Sequence, residues 1–134
     1  PNVMMGYATS REDLARGMET NSILYTGDIG YLDEEGFLFV TGRKKRISKL
    51  FGLRINLDDI EKLLNKNGPT AVVSDDEKIY VFCNYGDKKI YAQYTRDLAH
   101  LLALPYQVFA FRHIESIPLT PSGKVNYGNL MDFL

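Results

Sequence analysis

The sequence predicts an α+β fold: a small mixed sheet flanked by helices, with a β-hairpin ahead of it. Three observations carry that expectation. Strand-like and helix-like stretches alternate from residue 46 onward. Two aromatic and branched runs, Tyr31-Leu32 and Phe37-Leu38-Phe39-Val40, flank the acidic turn Asp33-Glu34-Glu35-Gly36. With 134 residues, 45% of them hydrophobic, the chain can bury one modest core.

Element by element, Ser10 to Arg16 has the composition of a short helix with Ser10 as its cap. After the hairpin, the basic run Gly42-Arg43-Lys44-Lys45-Arg46 breaks the pattern and reads as a joint between two units. A second hairpin runs from Arg46 to Leu50, turns at Phe51-Gly52 and returns through Leu53-Arg54-Ile55. Leu57, Ile60, Leu63 and Leu64 then recur at helical spacing, with Asn56 as cap and acidic residues in the first turn. Gly68-Pro69 ends that helix. Thr70 to Val73 and Ile79 to Cys83 read as strands around a polar turn, and a helix is expected over 91–102 with Leu98, Leu101 and Leu102 buried. Gln107 to His113 reads as a third strand, 118–123 as an exposed loop, and 125–133 as a terminal helix or turn.

Composition excludes some functions. A net charge of −1 gives no global attraction to nucleic acid or to an anionic membrane. No apolar stretch approaches the roughly 20 residues of a membrane span, so no span and no nucleic-acid partner are expected. A lone cysteine, Cys83, cannot form an internal disulfide and suits a strand core, which fits a cytoplasmic setting. The start at Pro1-Asn2-Val3 rather than at a methionine points to a piece of something longer.

The candidate chemistry lies on three separated loops. Asp28, after Thr26-Gly27, has the carboxylate that can accept hydrogen bonds from two ribose hydroxyls, although Thr-Gly-Asp alone more often marks a local turn. Thr120-Pro121-Ser122-Gly123-Lys124 fails as a P-loop, because Val125 stands where a magnesium-ligating Ser or Thr belongs. What remains is a lysine on a glycine-hinged loop, able to carry one positive charge to a phosphate or carboxylate. No His/Cys cluster has metal-ligand spacing, and His100 and His113 lack triad partners, so both are read as structural.

In order, Tyr25 to Gly30, Gly36 to Lys45, Lys49 to Ile55, Asp59-Ile60-Glu61 and Pro118 to Lys124 closely resemble the adenylate-forming synthetases. That family includes AMP-forming acyl-CoA synthetases, peptide-synthetase adenylation domains and firefly-type luciferases. The resemblance implies the end of a large N-terminal adenylation domain in residues 1–42, a hinge at 43–46 and a mobile C-terminal domain in 47–134. The opening Pro1 to Tyr7 is similar to a segment inside that large domain.

The implied reaction converts a carboxylic acid and magnesium-bound ATP to acyl-AMP, then passes the acyl group to a thiol of coenzyme A or phosphopantetheine. By the same resemblance Asp28 and Arg43 hold the nucleotide ribose, and Lys124 serves the first half-reaction. Lys45 is the hinge residue, Lys49 is linked to the second half-reaction, and Gly52 and Arg54 belong to the thiol-tunnel loop. Glu61 is expected to cap or pair within its own helix. The implied partners are the acid substrate, the chain's own N-terminal domain and, as one option, a carrier protein.

Two departures bear on the acceptor. Residues 68–104 are shorter than the family pattern, and Asn126 and Tyr127 stand where an acidic and a basic residue commonly follow the lysine. Loading of a carrier protein, or a non-catalytic carrier-docking module, therefore stays open beside an acyl-CoA synthetase. In either case the isolated piece is expected to be inactive.

Overall fold

The computed structural model describes residues 8–15, 17, 23 and 25–134. The reading of Pro1 to Tyr7 lies outside them, as does Arg16 at the end of the expected first helix. That helix is reduced to a 3-10 turn, Glu12–Ala15, where the Asp13 carboxylate accepts from the backbone N–H of Thr9 and Ser10, at 2.9 Å each.

Strands β1 (Asp28–Leu32) and β2 (Leu38–Arg43) form an antiparallel ribbon. The Asp33 carboxylate closes its turn by accepting from the N–H of Glu35 and Phe37. The register shifts between Ile29 and Gly30, and a Cβ on Gly30 would lie 2.5 Å from the Phe39 carbonyl oxygen. Only glycine lets the strands approach that closely. A 3-10 turn, Lys44–Arg46, leads into the hairpin of β3 (Ile47–Leu50) and β4 (Leu53–Asn56).

Helix α1 (Leu57–Leu64) starts at the expected cap, with the Asn56 side chain accepting from the Asp58 N–H. Strands β5 (Thr70–Ser74), β6 (Ile79–Cys83) and β7 (Phe109–His113) form a sheet in the order β5-β6-β7, the first pair antiparallel and the second parallel. Helix α2 (Lys88–Leu102) makes the crossover that parallel strands need. It begins three residues before the expected Tyr91, because Asp87 caps the N–H groups of Lys89 and Ile90. Helix α3 (Tyr127–Met131) closes the chain. The fold class is the mixed α+β expected.

The sheet separates two apolar clusters, since alternate residues of a strand face opposite sides. Val72, Ile79 and Val81 meet Leu57, Ile60, Leu64 and Leu98 of α1 and α2. On the other side Ala71, Val73 and Phe82 meet Leu130, with Ile117, Val125 and Tyr127 packed around them. Cys83 is buried in β6, as read from the sequence. Of the three leucines expected to be buried in α2, only Leu98 is: Leu101 is 65% exposed and Leu102 half-buried. Among the described residues no helix is long and apolar enough to cross a membrane.

Candidate functional site

Asp28 opens β1 directly opposite Arg43, the last residue of β2. Gly27, at φ +76°, turns the chain so that its carbonyl accepts from the Lys44 N–H at 2.8 Å, while the Asp28 N–H donates to Thr26 Oγ1 at 3.1 Å. The backbone thus fixes where the carboxylate stands. Arg43 Nε lies 3.2 Å from Asp28 Oδ1, with the arginine side chain 68% exposed. A pair in that much water stabilises the fold by at most about 1 kcal/mol, so its effect is to orient a carboxylate.

Gly42 allows this end of the ribbon to reach the next hairpin. Asn56 Nδ2 donates to the Thr41 carbonyl at 3.3 Å, and a Cβ on Gly42 would meet that same nitrogen at 3.0 Å. A cavity of about 860 Å³ follows from the approach, lined by Tyr25, Thr26, Asp28, Lys44, Lys49 and Arg54 among others. Lys49 and Arg54 are cross-strand partners on the exposed face of β3 and β4, whose other face buries Ser48, Leu50 and Ile55. Like charges directly opposite in a hairpin repel. With Lys44 they make three cations facing one carboxylate, an arrangement that favours an anionic ligand.

The hairpin tip is a two-residue turn with both φ angles positive, 51° at Phe51 and 78° at Gly52. Among the described residues nothing lies within 4 Å of where a Cβ on Gly52 would be. Phe51 is 70% exposed.

Lys124 lies elsewhere. Its loop is closed by the Thr120 N–H to Lys124 O bond at 2.7 Å, the Asn126 N–H to Pro118 O bond at 2.8 Å and a bridge between Leu119 and Val125. Gly123 takes φ +77° to make the turn. Val125 and Tyr127 pack on the sheet face opposite α1 and α2. Among the described residues Lys124 is exposed and is not part of the cavity lining. The structure therefore gathers Asp28, Lys49 and Arg54 around one cavity, with Arg43 braced against Asp28, and holds Lys124 apart. Lys45 is exposed on the turn between them, and both histidines are exposed outside the cavity.

Sequence reasoning missed a buried polar cluster. Arg46 Nε donates to Asp58 Oδ1 at 2.6 Å, Nη2 to Glu61 Oε1 at 2.5 Å and Nη1 to the Val72 carbonyl at 2.8 Å. Its guanidinium lies 3.9 Å from the centre of the Tyr127 ring. Glu61 also accepts from the Val72 N–H at 2.7 Å and from the Tyr127 hydroxyl at 2.9 Å. Glu61 therefore pairs across elements rather than within α1, because the turn of the helix points it at β5 and Arg46. One signal was available. Glu61 falls between Ile60 and Leu64 on the buried face of α1, and an acid on an apolar face needs a buried partner.

No family model matches the chain. A probable CoA ligase, CCL5, of Humulus lupulus is 29% identical over 136 residues, covering 93% of this chain and 24% of the relative. The medium-chain fatty-acid–CoA ligase of Escherichia coli K12 is 29% identical over 140 residues, covering 93% and 24%. A solved chain from structural and functional studies of fatty acyl-adenylate ligases of E. coli and L. pneumophila superposes with a TM-score of 0.69 at 28% identity, covering 99% of this chain and 26% of its own length. The chain is similar to members of the AMP-forming acyl-CoA ligase superfamily. It spans about a quarter of the length of these superfamily members. Its fold is the small C-terminal α+β domain of adenylate-forming enzymes.

Proposed function

We propose that this chain is the mobile C-terminal unit, with the adjoining end of the large domain, of an AMP-forming acid–thiol ligase. The observation that supports this best is the division of charge: Asp28 shares a cavity with Lys49 and Arg54, while Lys124 sits on a closed loop over the opposite sheet face. One pocket cannot hold both cationic faces at once. Two half-reactions served in turn by a swinging unit account for the arrangement.

In the first half-reaction a carboxylate oxygen of the acid attacks the α-phosphorus of Mg-ATP, and the bond to pyrophosphate breaks. Lys124 places its ammonium where negative charge gathers between the two anions, and Asp28 holds the ribose with Arg43 bracing it. Rotation at Lys45 then removes Lys124 and brings the Lys49–Arg54 hairpin to the site. A thiol sulfur attacks the acyl carbon, AMP leaves with the electrons of the C–O bond, and the thiol proton passes to solvent. Gly52, with no side chain at the tip, leaves room for the thiol arm. Lys49 and Arg54 offer charge to its phosphates or to those of AMP.

The test uses the full-length ligase with Lys124→Ala. ATP–pyrophosphate exchange should fall by at least about 100-fold, the scale of losing one charge-stabilising donor. Thioester formation from a preformed acyl-adenylate should persist. Unchanged exchange would remove Lys124 from the chemistry. Running the second half with coenzyme A or with a carrier protein identifies the acceptor.

A further inference from the structure

We infer that Arg46, Glu61 and Tyr127 form a positioning node that ties the hinge to the Lys124 loop, so that rotation at Lys45 carries both catalytic faces as one body. The inference rests on the hinge reading above. Its own support is the bonding on either side of Lys45. The Lys44 N–H is held by Gly27 O at the base of the ribbon, and two residues later the Arg46 side chain is 10% exposed and bonded into the core. Lys45 alone lies between the two attachments, and it is exposed. A backbone bond from the Ile47 N–H to Lys44 O spans it.

From Arg46 the connections run outward to every moving part. Glu61 and Asp58 belong to α1, which continues directly from the hairpin carrying Lys49 and Arg54. Tyr127 stands three residues beyond Lys124, and Asn126 beside it bonds back to Pro118, closing the loop root. The Tyr127 hydroxyl reaches Glu61 Oε2 while its ring covers the Arg46 guanidinium. These contacts join residues up to 66 positions apart in sequence. No buried side-chain nitrogen or oxygen among the described residues lacks a partner. A fully satisfied buried network is stiff, and partial loss of it is felt throughout. Tyr127 thereby takes up the place that a basic residue fills in the family pattern, and in this chain it reads the hinge arginine.

The experiment follows amide hydrogen exchange of the 134-residue chain carrying Tyr127→Phe, which keeps the ring over Arg46 and deletes the bond to Glu61. Exchange should rise about tenfold both in the 118–127 loop and at the Ile47–Leu50 strand, and at Val72, whose N–H Glu61 holds, with β6 unchanged. A tenfold change is about 1.4 kcal/mol, within the range for a hydrogen bond to a charged group. A rise confined to 118–127, or none, overturns the node. Arg46→Met risks unfolding because it strands Glu61, so the second variant is Arg46→Met combined with Glu61→Gln. It should loosen the same two segments together, and loosening at only one of them counts against the proposal.

In the full-length ligase, Tyr127→Phe should lower kcat of both half-reactions by a similar factor, leaving KM for ATP and the acyl-AMP burst amplitude unchanged. Loss in pyrophosphate exchange alone would contradict the coupling. If the unaltered ligase forms no adenylate with any acid, the functional reading fails, and the exchange experiment still decides whether the node exists.

Discussion

Two arginines three residues apart show how burial sets what a charge does. Arg43 stands largely in water against Asp28, where the pair adds little to stability and leaves the carboxylate available to a ligand. Arg46 is enclosed by two carboxylates, a carbonyl and an aromatic ring, and removing one partner of such a pair costs roughly 3–5 kcal/mol. Tyr127 reports on that enclosure. Its phenol is pushed up to about 12, first by burial; Arg46 draws it down, and the Glu61 charge and hydrogen bond push it further up. A phenol whose pKa is raised by folding contributes stability that is fully present below its ordinary pKa of about 10 and is lost as pH rises through about 12. The urea midpoint should therefore fall between those pH values, and less steeply in Tyr127→Phe. Tyr91, also pushed up to about 12, keeps part of the slope in the variant. A slope unaltered by the substitution would mean that the Tyr127 hydroxyl is not held by Glu61. At this scale the sequence was half legible. Asp28, Lys49, Lys124 and their neighbours fall in an ordered pattern, whereas Arg46 is one of four consecutive basic residues and nothing local marks it as the buried one.

Elements were read well where their signals are local. The Asn56 cap and the apolar spacing of α1 are contained in nine residues, and the acidic turn of the first ribbon in four. Misreadings came where tertiary packing decides, as with Leu101, whose helical spacing matches that of Leu98 but whose side is open to solvent. The β3–β4 hairpin combines both cases. Its turn was legible from Phe51-Gly52, but not that Phe51 would take φ 51°, a conformation that suits Asn or Gly and strains a bulky residue. An exposed aromatic held in strain at the tip of a loop beside a cavity is not there for stability. Phe51→Asn should raise stability by about 1 kcal/mol, seen as a higher urea midpoint with an unchanged slope. On the proposed function, its cost in the full-length protein should fall on thioester formation alone. A lower midpoint would show that the ring packs productively where it is.

For the whole molecule, the two faces of the β5-β6-β7 sheet keep the Lys124 loop and the α1–α2 layer apart, and the hairpin completes the cavity from the side. That separation was not legible, because it depends on which alternate residues of β5 and β6 face which layer. The ordered motifs nonetheless pointed to the same superfamily as the similar proteins, since their spacing is set by chemistry and not by packing. The hinge reading makes a prediction at this scale. Lys45→Pro fixes φ near −65° and stiffens the joint. In the full-length ligase it should spare ATP–pyrophosphate exchange and depress thioester formation by at least tenfold. Equal losses in both would place the pivot elsewhere.

The β1–β2 ribbon has a consequence outside catalysis. It is a two-stranded sheet whose Tyr31, Leu32, Leu38 and Val40 are 56%, 66%, 68% and 63% exposed. Neighbouring residues of a strand point to opposite sides, so both faces of the ribbon are apolar, and among the described residues no third strand pairs with its outer edges. Such a surface is sticky toward its own kind. Self-association of the 134-residue chain should therefore rise with concentration, and a charge placed at Leu32 or Leu38 should delay it, as light scattering would show.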